Sequence, residues 1–149
     1  MLRLKTLSLK YLPSTLFLIF IGWIIYDADL GRDNIFLSIG EKVPFGDKFG
    51  HFFIFGFLCY LLNHVFNKKS VQFFNTNIYL ASVLVLVGSF AEEFSQLAFE
   101  DRNFEVLDMV CDVLGVVTFT ILYNLKEMLS RISKPAWRRI KKELLQGVI

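Results

Sequence analysis

The sequence predicts an all-α fold: an integral membrane bundle of about four transmembrane helices followed by a basic amphipathic C-terminal helix. Three observations carry this reading. Hydrophobic residues make up 54% of the 149-residue chain, more than a soluble domain of this length can cover with polar surface. They fall in long runs rather than at the spacing of one helix face or one strand face. Lys and Arg collect in the segments that an up-and-down arrangement of those runs would place on one side. The length allows one compact domain, divided into a membrane part over residues 1–125 and a basic tail over 126–149.

The first run, Leu12 to Tyr26, follows Arg3, Lys5 and Lys10, and Pro13 sits where a helix start tolerates it. A basic lead before an apolar stretch also describes a signal peptide. The stretch ends in Trp-Ile-Ile-Tyr-Asp-Ala-Asp, without the small-residue pair of a cleavage site. It therefore reads as a retained anchor, with Trp23 and Tyr26 at the interface. Asp27 to Gly46 reads as a polar loop, because Gly, Asn, Ser and Pro interrupt it. The second run covers Asp47 to Val65, and Asn67-Lys68-Lys69-Ser70 makes a basic turn. The third covers Ile78 to Glu93. Its strictly apolar part is short for a span, which brings Glu92, Glu93 and Gln96 close to membrane depth. A loop from Leu97 to Asn103 leads to the fourth run, Phe104 to Leu125, which contains Asp108 and Asp112.

In the tail, Met128, Leu129, Ile132, Ala136, Ile140 and Leu144 recur at helical spacing, with Arg131, Lys134, Arg138, Arg139, Lys141 and Lys142 between them. Pro135 is expected to divide it into two short helices. A basic amphipathic helix beside a span suits an anionic cytoplasmic leaflet; a solvated charged tail is the plainer alternative. No nucleic-acid partner is expected, because no aromatic stacking pattern accompanies the charge. Four spans put 12 of the 16 Lys and Arg residues on one side. The positive-inside rule then predicts cytoplasmic termini and outward-facing acidic loops. Cys59 and Cys111 lie inside apolar runs and read as small buried hydrophobes.

The costly residues are those the topology gathers at the outer end: Asp47, Lys48, His51, Glu92, Glu93, Gln96, Arg102, Asp108 and Asp112. Asp47 and His51 share a helix face at four residues' spacing. Ser89, Glu93 and Gln96 form a stripe on the third helix, and Asp108, Asp112 and Gly115 form one on the fourth. Polar stripes on spans face the bundle interior, and Gly56, Gly88 and Gly115 are candidates for close helix approach. Plainer roles stand beside the functional ones. Asp47 reads equally as the cap of the second helix, His51 as a satisfied interior histidine, Arg102 as a partner of Glu100 or Asp101, and Asp108 as a first-turn acid favoured by the helix dipole. Glu92 reads as an interfacial residue with no special role. Asp112 lies a turn deeper, so it needs Arg102, Lys48 or His51 as partner, or a proton.

These residues resemble the VanZ-like family of small bacterial membrane proteins. Asp47-Lys48-Phe49-Gly50-His51-Phe52 matches that family's D-K-x-x-H-F segment, and Glu93-Phe94-Ser95-Gln96 matches its E-x-x-Q. Arg102, Phe104, Asp108, Asp112 and Gly115 continue the pattern, with Asp112 standing where many members carry Asn. The resemblance implies a multi-pass protein of the bacterial inner membrane with a cell-envelope role. It brings no settled reaction.

Two function classes follow. In the first, Asp47, Lys48, His51, Glu93, Gln96, Arg102, Asp108 and Asp112 bind a membrane lipid or the headgroup of a lipid-linked envelope intermediate, with Arg102 and Lys48 facing its anionic part. In the second, His51 and Glu93 act as acid and base on such a lipid. A structural salt-bridge cluster and a proton or ion path are the other readings, the path being disfavoured by the absence of acids in the cytoplasmic halves of the runs. No cofactor and no metal are expected: a metal variant of the enzyme would use His51, Glu93 and Asp108 as ligands, and one histidine among scattered acids does not specify a metal.

Overall fold

The computed structural model describes residues 2–32, 34–100 and 102–146, with side chains from Leu9 to Arg131 apart from residues 33, 41 and 101. Helices dominate it: α1 (Leu2–Asp29), α2 (Ile35–Lys42), α3 (Gly46–Phe66), α4 (Leu80–Ser95) and α5 (Val106–Gln146), with a 3-10 turn at Gln96–Ala98. Among the described residues, four segments are long and apolar enough to cross a membrane: Leu9–Asp29, Gly46–Phe66, Leu80–Ala98 and Val106–Arg131. Only helices satisfy every backbone group within one segment, which suits runs of this composition. The all-α membrane bundle is therefore what the chain forms.

The bundle is built around α3, which packs against α5, α4 and α1. Gly56 and Gly115 set the α3–α5 crossing. A Cβ at Gly56 would meet the Phe119 ring and lie 3.0 Å from the Gly115 carbonyl oxygen, and one at Gly115 would collide with the Phe52 carbonyl. Small residues let backbones approach where lipid offers no hydrophobic drive to associate. Gly88, expected to do the same, faces open space. Ile21, Phe55, Leu58, Cys59, Ala81, Val85 and Val116 form the apolar core.

Three connections depart from the sequence reading. The Asp27–Gly46 stretch is not a plain loop: α1 continues to Asp29, and α2 follows. Asn34 starts α2, its Oδ1 accepting from the backbone N–H groups of Phe36 and Leu37 at 3.0 Å. Polar breakers at both ends masked a helix of only eight residues. Phe36 from α2 packs edge-on against Phe20 of α1, and a Cβ at Gly46 would strike the backbone of Gly40. Glycine is thus required where α2 comes down onto the start of α3. The basic turn is also longer than expected. Ser70–Phe73 (β1) and Thr76–Tyr79 (β2) form an antiparallel hairpin, Ser70 opposite Tyr79. Finally, Pro135 does not divide the tail, because α5 runs unbroken from Val106 to Gln146. A proline removes one backbone hydrogen bond, and the turns on either side carry the helix past it. The apolar and basic faces expected beyond Arg131 lie outside the described side chains.

The two ends of the bundle are chemically distinct. At one, Lys10 of α1 donates to the Val65 carbonyl and to Asn67 of the turn after α3, and Lys68 pairs with Glu127 of α5 at 2.8 Å. At the other, the end of α1, all of α2, the start of α3, the end of α4 and the start of α5 meet.

Candidate functional site

The second end carries the charge. His51, one turn into α3, lies 3.1 Å through Nδ1 from Asp112 Oδ1 on α5. Asp112 is fully buried. Asp112 Oδ1 faces Nδ1 and so fixes the ring's orientation. Asp112 Oδ2 has no hydrogen-bond partner. One turn toward the helix ends, Lys48 Nζ reaches Glu105 at 2.5 Å and Asp108 at 3.3 Å. Asp108 is 2% exposed, so its first-turn position and its ion pair coexist.

The α4 stripe behaves as its spacing predicts: Ser89, Glu93 and Gln96 are all buried. Glu93 Oε1 accepts the backbone N–H of Glu105 at 2.6 Å, and Oε2 accepts from Gln96 Nε2 at 3.2 Å. Glu93 thereby ties the end of α4 to the lead-in of α5. Glu92 Oε1 accepts from Arg102 Nη2 at 2.7 Å and from Gln96 Nε2 at 3.0 Å, and Arg102 Nε lies 3.8 Å from Asp29 at the end of α1.

Every residue proposed from sequence thus arrives at one end of the bundle, yet several partners differ from those expected. Asp112 takes His51, not Lys48 or Arg102. Arg102 pairs with Glu92 and Asp29 rather than with Glu100, which corrects the reading of Glu92 as a bystander. Asp47 does not cap α3: the helix begins at Gly46, and Phe45 at the cap makes no side-chain bond. Its carboxylate lies 4.0 Å from His51 Nε2 and 3.5 Å from Lys48. Sequence reasoning missed Glu105 and Asp29. Each sits at the edge of an apolar run, where an acid is ordinary, and only the fold shows that Lys48 and Arg102 come to them.

A cavity of about 960 Å³ opens beside this network. Phe20, Ile21 and Ile25 of α1, Phe36 and Ile39 of α2, and Ile54 and Phe55 of α3 give it an apolar wall. Asp47, His51, Glu92, Gln96, Arg102 and Glu105 line its other part. α2 forms one side of it, so the helix hidden in the presumed loop helps to make the cavity. A space of this size with one oily and one charged wall fits an amphiphile.

The family model described as VanZ/LLP1 matches residues 7–127. The chain belongs to the VanZ/LLP1 family. No curated protein and no solved structure matches it. The VanZ/LLP1 match takes in all four candidate spans almost entirely, the cavity and each charged residue named above, and it ends within α5. The ordered residues from Asp47 to Gly115 lie inside the matched region.

Proposed function

We propose that this membrane protein belongs to the bacterial inner membrane and that its cavity faces outward, binding the headgroup of an envelope lipid or lipid-linked envelope intermediate. The two-faced cavity carries this reading. Its α1–α3 wall suits acyl or prenyl chain, and its charged wall suits a hydrated head. Arg102 supplies the fork for a phosphate or carboxylate. It lies at the cavity wall with Glu92 and Asp29 on one side of its guanidinium, which fixes its position.

The test is lipid analysis of the purified protein. The parent protein is expected to retain a defined lipid through detergent exchange. Arg102→Ala removes the fork, and Ile54→Trp fills the apolar part without touching a charge; both are expected to lose the lipid while still eluting as folded protein. Equal retention by the parent and both folded variants, or no retained lipid in the parent, overturns the reading. Arg102→Lys separates it from a purely structural cluster. It keeps the charge and loses the fork, so lipid is lost with little change in thermal stability, whereas matched losses in both mark a structural knot.

A further inference from the structure

Carboxylates outnumber cations at this end of the bundle. Among the described residues, Asp47, Glu92, Glu93, Glu105, Asp108 and Asp112 share this network with Lys48, Arg102 and His51, and Arg32 lines the cavity nearby. Lys48 and Arg102 are committed unevenly. Lys48 serves Glu105, Asp108 and Asp47, and Arg102 serves Glu92 and Asp29. Glu93 is 0% exposed and receives only neutral donors, the Gln96 amide and the Glu105 backbone N–H. Among the described residues, no Lys or Arg lies within 4.0 Å of it. A fully buried carboxylate in that position needs a positive neighbour or a proton.

His51 stands beside it. Asp112 occupies Nδ1, so Nε2 is the nitrogen left to a ligand, and the ring borders the cavity; a metal entering there displaces any proton that Nε2 carries. A carboxylate behind one imidazole nitrogen is the arrangement that orients and strengthens the other as a metal ligand. One donor atom each from His51, Glu92 and Glu93 lie within 4.8 Å of one another. Donors around one ion at about 2.1 Å stand roughly 3–4 Å apart, so modest side-chain adjustment closes the set. Asp47, His51 and Asp108 are equally near one another, but the Lys48 ammonium reaches both of those acids, whereas in the first set Arg102 engages only Glu92 and leaves Glu93 without an ion-pair partner among the described residues. The unpartnered Asp112 Oδ2, sealed behind His51, adds negative potential on the side where a cation would be welcome.

We propose that His51 Nε2, Glu92 and Glu93 form a binding site for one divalent cation, Mn²⁺ or Zn²⁺, entered from the cavity. One imidazole and two carboxylates make a mixed N/O set, which suits these ions better than Ca²⁺ or a thiophilic metal. The ion would offset the two carboxylates that hold it and could take an anionic headgroup at an open coordination position, a partner beyond Arg102; that consequence alone rests on the lipid reading above.

The measurement uses the full-length protein in detergent, stripped with a chelator and titrated with Mn²⁺ alone. The expected result is one Mn²⁺ per chain, with coupling to an imidazole nitrogen in the paramagnetic resonance spectrum. His51→Gln should abolish that coupling, and Glu93→Gln should weaken binding by about 100-fold or more. Asp112→Asn should weaken it by about 10–100-fold with the stoichiometry unchanged, as loss of an orienting partner does. Glu127→Gln, at the other end of the bundle, should leave it near the parent value. Zn²⁺ competing for the same site supports the assignment. No saturable binding of either ion, binding without nitrogen coupling, or binding indifferent to both His51→Gln and Glu93→Gln overturns it. If His51→Gln does not fold, the nitrogen coupling in the parent protein decides alone. Mn²⁺ binding without retained lipid leaves this site standing and removes the lipid reading.

Discussion

Lys48 shows how much one side chain decides at this site. It reaches three carboxylates from the first turn of α3, and the nearest of them belongs to the stretch just before α5. Asp108 is almost wholly enclosed, so removing its cation leaves a charge with no solvent to take over. Lys48→Met is expected to destabilise the protein by about 3 kcal/mol, the low end for a broken buried pair, because Lys48 itself keeps some contact with water. Adding Asp108→Leu should recover most of that loss, since two apolar residues restore a neutral contact. A thermal or denaturant double-mutant cycle in detergent measures the coupling. Additive losses in the double variant would mean that Lys48 and Asp108 act independently. The His51–Asp112 contact calls for a different comparison. Asp112→Asn keeps shape and one acceptor but removes the charge, so it should change stability less than Asp112→Ala, which leaves the imidazole N–H facing a gap.

At the level of elements, the α3–α5 crossing carries the site, because Lys48 and His51 stand on one helix and Asp108 and Asp112 on the other. The crossing depends on the absence of a side chain at Gly115, where any Cβ runs into the Phe52 carbonyl. Gly115→Val is expected to cost about 1–3 kcal/mol through forced separation, and to lengthen the His51–Asp112 contact. Gly88→Ala should lie within about 0.5 kcal/mol of the parent, since it adds a methyl to open space. Comparable losses at both positions would show that the crossing is not the reason for Gly115. In sequence Gly115 lies on the stripe of Asp108 and Asp112, whereas Gly88 lies one residue off the stripe of Ser89, and the bundle turns that difference into a tight crossing at one and open space at the other. The same holds more widely. The four spans were legible because each concentrates apolar residues beyond any soluble pattern, and the stripe of Ser89, Glu93 and Gln96 was legible because polar residues at helical spacing have one place to go in a membrane. α2 was not, because eight residues bounded by Asn34 and Pro44 carry too little periodicity to separate from a loop. The hairpin was missed for a related reason: four-residue strands with uniformly exposed first halves show no alternation. Partner choice within the site was not legible either. Several acids and cations at similar depth allow many pairings, and the pairing of Asp112 with His51 is decided by helix rotation.

For the molecule as a whole, the division of charge makes the strongest statement. Lys10, Lys68 and Lys126 share one end of the bundle, where their contacts join the start of α1, the second half of α3 with the turn after it, and the middle of α5. The remaining basic residues of the lead and tail belong to the same side of an up-and-down chain, making 12 of 16, against Arg32, Lys42, Lys48 and Arg102 at the other. Lys and Arg near the span ends set orientation, while acids contribute little. The hairpin end is therefore expected inside and the cavity end outside. Reporter fusions after Arg32, Asn67, Asp101 and Ile149 should read out, in, out, in. Replacing Lys68 and Lys69 by Gln should leave that pattern unchanged, because the lead and tail retain ten basic residues. A periplasm-active reporter at Ile149, or a cytoplasm-active one at Arg32, would invert the bundle. It would then turn the cavity toward the cytoplasm, where an envelope lipid exposed only on the outer leaflet cannot reach it.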